Sequence, residues 1–149
     1  MAGWRCAKGN EGVSGNIGQA KNTIGYVEYA YAKQNKLTYT KLVNKAGKTV
    51  EPTMEAFKAA AANADWAHAP GYYLILTDQP GDTSWPIVAS TFILMHKEPA
   101  DKAASAEAVK FFTFAFASGG KMAEELDYIS MPDAVVKLIE KTWSAEIKS

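Results

Sequence analysis

The chain has 149 residues, 48% of them hydrophobic and 21% charged, a composition that suits one ordinary domain or two small lobes. Sixteen basic residues balance sixteen acidic ones and form no long basic run, which excludes a nucleic-acid footprint and a polybasic membrane arm. Cys6 is the single cysteine, so an internal disulfide and a multi-cysteine zinc site are excluded as well.

Residues 1–8 offer no apolar core of the kind a signal peptide needs, so the chain as written is expected to be soluble and to lack an export signal. Glycines at 9, 12, 15 and 18 place small residues near one face of a short helix, where another backbone can come close. Thr23 to Tyr29 is β-branched and aromatic and reads as a strand. Ala30 to Lys36 fits one or two helical turns. Tyr39 to Val43 and Lys48 to Val50 read as a hairpin about Asn44-Lys45-Ala46-Gly47. Pro52-Thr53-Met54-Glu55 opens a helix: Thr53 can cap the first amides, and Glu55 suits the positive helix start. Tyr72 to Thr77 reads as a strand closed by the turn cluster Asp78 to Asp82. The run Trp85 to Met95 is the most apolar stretch and is too short to span a membrane, which takes about 20 residues. It reads as a crossing segment ending in a buried strand, Thr91 to His96. Asp101 to Ser118 is a helix with one stripe of Val109, Phe112 and Phe116 and another of Ala108, Phe111 and Ala115, stopped by Gly119-Gly120. A last helix starts near Ser130–Pro132, with Asp133 at its N-terminus and a face of Val136, Ile139, Trp143 and Ile147. Strands mixed with helices indicate an α/β protein. Its sharpest break, Asp78 to Trp85, marks the expected hinge or domain boundary.

Catalytic chemistry finds little footing. His68 and His96 fit no metal-ligand spacing, and Ser14 sits in only a fragment of a G-x-S-x-G elbow. The acidic pairs Glu124-Glu125 and Asp78/Asp82 lie in polar contexts that suit a solvated surface. The glycine-rich start is the one hint of an anion, because helix N-terminal amides can hold phosphate, yet no phosphate-loop pattern is present. The residues by themselves point to a binding protein with no catalytic site and no metal or cofactor.

Six blocks carry a resemblance. They are Lys8 to Val13, Ile24 to Ala32, Ala64-Asp65-Trp66, Trp85-Pro86-Ile87, Thr91 to Lys97, and Leu126-Asp127-Tyr128 with Met131-Pro132-Asp133. In this order they resemble the C-terminal portion of the phosphate-binding protein family of the bacterial high-affinity phosphate ABC transporter. The resemblance implies part of a two-lobed periplasmic-binding-protein fold (type II), a mixed sheet with flanking helices. By that likeness residues 1–84 are the C-terminal part of the second lobe, and residues 85–149 are the return segment and C-terminal helices of the first. It also implies a periplasmic parent that binds inorganic phosphate and delivers it to ABC transporter permease subunits, with no reaction catalysed. The family's phosphate ligands lie upstream of the Lys8 to Val13 block, so no ligand residue is carried over. Lys8, Asn10 and Glu11 are the candidates to approach the cleft. Residues 1–7 depart from the family pattern, and Arg5 does not match the family's phosphate arginine. For this chain alone the expectation is weak or absent phosphate binding. The alternative is a truncated fragment that self-associates, as a homo-oligomer, or pairs with a missing half.

Overall fold

Helices carry most of the regular structure. The computed structural model describes Gly3 and residues 6–148; Arg5 lies outside them. The chain divides into two compact units, Met1–Thr40 and Lys41–Ser149.

In the first unit α1 spans Gly9–Gln19 and α2 spans Tyr29–Gln34. Gly25 sits against α1: a Cβ there would lie 2.8 Å from Ile17 Cδ1 and 3.1 Å from Val13 Cγ1. On the expected small-residue face of α1, Gly12 meets the Ala7 backbone, where a Cβ would lie 3.5 Å from the Ala7 carbonyl carbon, and Gly15 meets nothing within 4 Å; Gly25, outside that face, makes the closest approach to α1 side chains. Tyr29 meets Tyr39 edge to face at 6.2 Å.

In the second unit β1 (Leu42–Val43) and β2 (Thr49–Val50) form an antiparallel hairpin, with Leu42 opposite Val50 and Val43 opposite Thr49. α3 (Met54–Ala62) follows, and Thr53 Oγ1 accepts from the Ala56 amide at 3.2 Å, the cap that the sequence promises. Its inner face, Ala56, Phe57, Ala60 and Ala61, is buried, and Phe57 meets Trp85 edge to face at 6.2 Å. Two 3-10 turns, Trp66–His68 and Pro70–Tyr72, lead into an extended segment.

α4 (Lys102–Ser118) starts on Asp101, whose Oδ1 accepts from the Ala104 amide at 2.9 Å. The glycine pair ends α4 but does not end the helical path, because α5 (Gly120–Glu125) begins at once. α6 (Asp133–Glu146) follows Pro132. Its deepest residue is Val135, 4% exposed, which clusters with Ala64, Trp66 and Leu76; Leu138 and Ile139 pack alongside. Of the expected face Val136, Ile139, Trp143 and Ile147, Ile139 packs on this core, while Val135 rather than Val136 is its deepest residue. Trp143 stacks on Phe116 at 5.7 Å instead.

The expected strands at 23–29, 72–77 and 91–96 do not form, and the two-residue hairpin is the only sheet among the described residues. The reason is physical. A strand exists only when a neighbour accepts and donates along its edge, and no other strand runs beside these segments. Residues 72–76 still keep a strand's rhythm. Tyr72, Leu74 and Leu76 turn inward, while Tyr73 and Ile75 stand 78% and 65% exposed. Apolar residues on both faces are the pattern of a strand covered on both sides.

Candidate functional site

The three candidate residues lie at the start of α1. Lys8 occupies the N-cap position, is exposed, and makes no side-chain capping bond. Gly9 takes φ 67°, a left-handed conformation that glycine adopts without strain. Asn10 Oδ1 accepts from the Glu28 amide at 2.9 Å. Glu11 Oε1 accepts from the Tyr31 hydroxyl at 2.7 Å. This hydrogen bond, reinforced by Glu11's own backbone amide, holds the Glu11 carboxyl below the usual carboxylate range. One turn further, Ser14 is buried and donates to the Glu11 carbonyl at 3.1 Å.

Asn10 and Glu11 therefore act together as a clasp that holds residues 28–31 against α1. The clasp leaves a carboxylate beside the helix start. A negative charge there opposes the attraction that the first-turn amides and Lys8 would exert on an anion.

The other candidates scatter. His68 is exposed and pairs through Nδ1 with Asp65 at 2.8 Å. His96 is exposed, as are Asp78 and Asp82. Glu124 accepts from Lys58 Nζ at 2.6 Å, and this bond and charge hold its carboxyl low. Among the described residues no group of three or more His, Cys, Asp or Glu side chains could hold a metal ion.

One polar cluster went unforeseen. Asn44 is 5% exposed. Its Nδ2 donates to the carbonyls of Gly81, Asp82 and Ser84 at 3.1, 2.9 and 3.2 Å, and its Oδ1 accepts from the Ala46 and Lys48 amides at 3.1 and 3.0 Å. Ser84, fully buried, donates to the Pro80 carbonyl at 2.6 Å and accepts from Asn63 at 3.1 Å. Gly81 allows this closure: its φ is 112°, and a Cβ would lie 2.3 Å from Asn63 Nδ2. The first residue of the Asn-x-x-Gly turn is the sequence signal for such a centre. It welds the hairpin to the 78–85 turn and offers no ligand chemistry.

Geometry alone names no ligand, and no protein-family model matches the chain. Individual relatives do. The phosphate-binding protein PstS of Pasteurella multocida is 52% identical over 143 residues, which is 95% of this chain and 41% of that protein. Over nearly all of its own length the chain is similar to phosphate-binding protein PstS. The PstS proteins of Xylella fastidiosa (strain 9a5c) and Haemophilus influenzae are 48% and 46% identical over 141 residues, again 95% of this chain and 39% and 42% of their own lengths. The chain thus spans about two-fifths of the PstS relatives it matches, a share consistent with their C-terminal portion. No helix among the described residues is long and apolar enough to cross a membrane.

Proposed function

We propose that this chain is the C-terminal portion of a periplasmic phosphate-binding protein that captures inorganic phosphate and delivers it to the permease of an ABC transporter. The similarity to PstS across 95% of the chain is the observation that supports it. No chemical step is assigned: the parent binds and releases its ligand. In this reading residues 1–84 close the second lobe of a two-lobed fold, and residues 85–149 return into the first. The phosphate-coordinating groups lie in the part of the relatives that this chain does not match. Lys8 is the one cleft candidate whose side chain points to no internal role, since Asn10 and Glu11 form the clasp.

Isothermal titration with inorganic phosphate tests the assignment. The chain alone should show no submicromolar site. A single-polypeptide chimaera, in which it replaces the matching portion of the P. multocida protein, should bind phosphate tightly. Tight binding by the chain alone, or none by the chimaera, overturns it.

The two-sided apolar segments favour a second reading, in which the fragment pairs with another copy of itself. Size-exclusion chromatography with light scattering separates the two: a monomer excludes self-pairing.

A further inference from the structure

A groove of about 530 Å³ lies between α4 and the C-terminal helix α6, walled by Val109 and Thr113 on one side and by Glu140, Trp143, Ser144 and Ile147 on the other. That volume suits a small molecule. Its two hydroxyls are committed in one sense only. Thr113 Oγ1 donates to the Val109 carbonyl and Ser144 Oγ donates to the Glu140 carbonyl, both at 2.9 Å. A hydroxyl has one hydrogen, so each has spent it on the helix backbone and keeps only lone pairs to offer. Glu140 is half-buried, and its carboxylate makes no ion pair or hydrogen bond among the described residues, although Lys137 and Lys141 share its helix. Lys110 of α4 is taken by Glu107 at 2.7 Å. Trp143 stacks on Phe116 at 5.7 Å, which fixes the indole as a wall, and an indole ring attracts cations to its π surface.

We infer that this groove binds a small organic cation that carries N–H donors, an alkylammonium or an alkylguanidinium. The Glu140 carboxylate supplies the opposite charge, and Thr113 Oγ1 and Ser144 Oγ accept from the head group's N–H bonds. Trp143 supplies π surface, and Val109 and Ile147 cover the alkyl chain. The same groups disfavour the other ligand classes. An anion would meet a carboxylate and two oxygens with no hydrogen left to give. A neutral apolar molecule would strip water from the Glu140 charge and return nothing to it. The site uses neither phosphate nor the Asn10–Glu11 clasp, so it stands apart from the functional reading above.

Amide NMR titrations of the full chain with butylammonium and with butylguanidinium, at constant ionic strength, test this. Saturable shifts should appear at residues 109–113 and 140–147. Tetramethylammonium has the charge but no N–H, and should bind at least about tenfold more weakly. Glu140→Gln keeps the shape and removes the charge, and should weaken butylguanidinium by at least about tenfold; circular dichroism checks that the variant keeps its helices. Ser144→Ala removes one acceptor and should weaken it by a smaller factor. The same titration of the P. multocida chimaera shows whether the groove stays open in a complete protein, and there inorganic phosphate should not displace the cation. Shifts that never saturate, equal binding of tetramethylammonium, or unchanged affinity in Glu140→Gln overturns the inference. So does binding by the isolated chain that is lost in the chimaera, since the groove is then filled in the whole protein.

Discussion

Replacing Asn44 by alanine removes five hydrogen bonds from one side chain. They differ in worth. The Ala46 and Lys48 residues are exposed, so water replaces Oδ1 there, at about 0.5 kcal/mol each. Asp82 is exposed and Gly81 partly so, and their carbonyls also gain water. Ser84 is fully buried, and its stranded carbonyl costs about 1–3 kcal/mol. The sum is about 2–4 kcal/mol, equivalent to about 6–12 °C in melting temperature for a chain of this size. Asn44→Asp is the sharper variant. It keeps the Oδ1 acceptor but turns a second oxygen toward three carbonyl oxygens, so it should destabilise at least as much as alanine. Thermal melts followed by circular dichroism give the values, with exposed Lys45→Ala as a control within about 0.5 kcal/mol of wild type. A melting point for Asn44→Ala within about 2 °C of wild type, or an Asn44→Asp variant as stable as wild type, would refute the weld.

Phe57→Ala empties the space against Trp85 and should cost about 3–5 kcal/mol by urea denaturation, with a red shift in tryptophan fluorescence. Tyr72→Phe loses the phenol bonds to the Leu138 carbonyl and Thr142 Oγ1, both 2.7 Å; Thr142 still donates to Leu138, so the loss should stay near 0.5–1.5 kcal/mol by the same assay. Glu124 is held below its ordinary value of 4.5 by Lys58, so its stabilising effect is present above that pH and fades as pH falls through the lowered value. Lys58→Met should therefore lower the midpoint at pH 7 and flatten its decline below pH 4.5; an unchanged acid slope would count against the pairing.

The helices were legible because their signals are local. Thr53 and Asp101 each cap within three residues, and the hairpin turn is written in Asn44 to Gly47. On α6 the expected face held at Ile139 but missed Val135, because Val135 and Val136 are equally apolar and only the neighbours Trp66 and Leu76 select between them. α5 was missed because a glycine pair reads as a stop, whereas here Gly119 donates to Ala115 and then accepts from Ala123. The three absent strands were composed correctly as strands, but pairing is a property of two segments, and one segment cannot show its partner. At the candidate site the sequence supplied Lys8, Asn10 and Glu11 by resemblance. It could not show that Glu28 and Tyr31 would engage two of them, since those contacts span 18 and 20 residues.

The alternation at 72–76 also sets how the protein behaves when concentrated. Uncharged, proline-free windows rich in Tyr, Ile and Leu stack readily into ordered aggregates unless gatekeepers flank them. This window has them: Pro70 and Gly71 precede it, and Asp78 and Pro80 follow. Asp78 is fixed in a bend, with φ 53° and its amide donating to the Pro86 carbonyl at 2.9 Å. The run from Ile87 to Met95 has no charge or proline within it either, and it is guarded as closely, by Pro86 directly before it and Lys97 after. What separates them is length: nine residues at 87–95 exceed the about six or seven that a stacked segment takes, and five at 72–76 fall short, so aggregation of the isolated chain starts at 87–95.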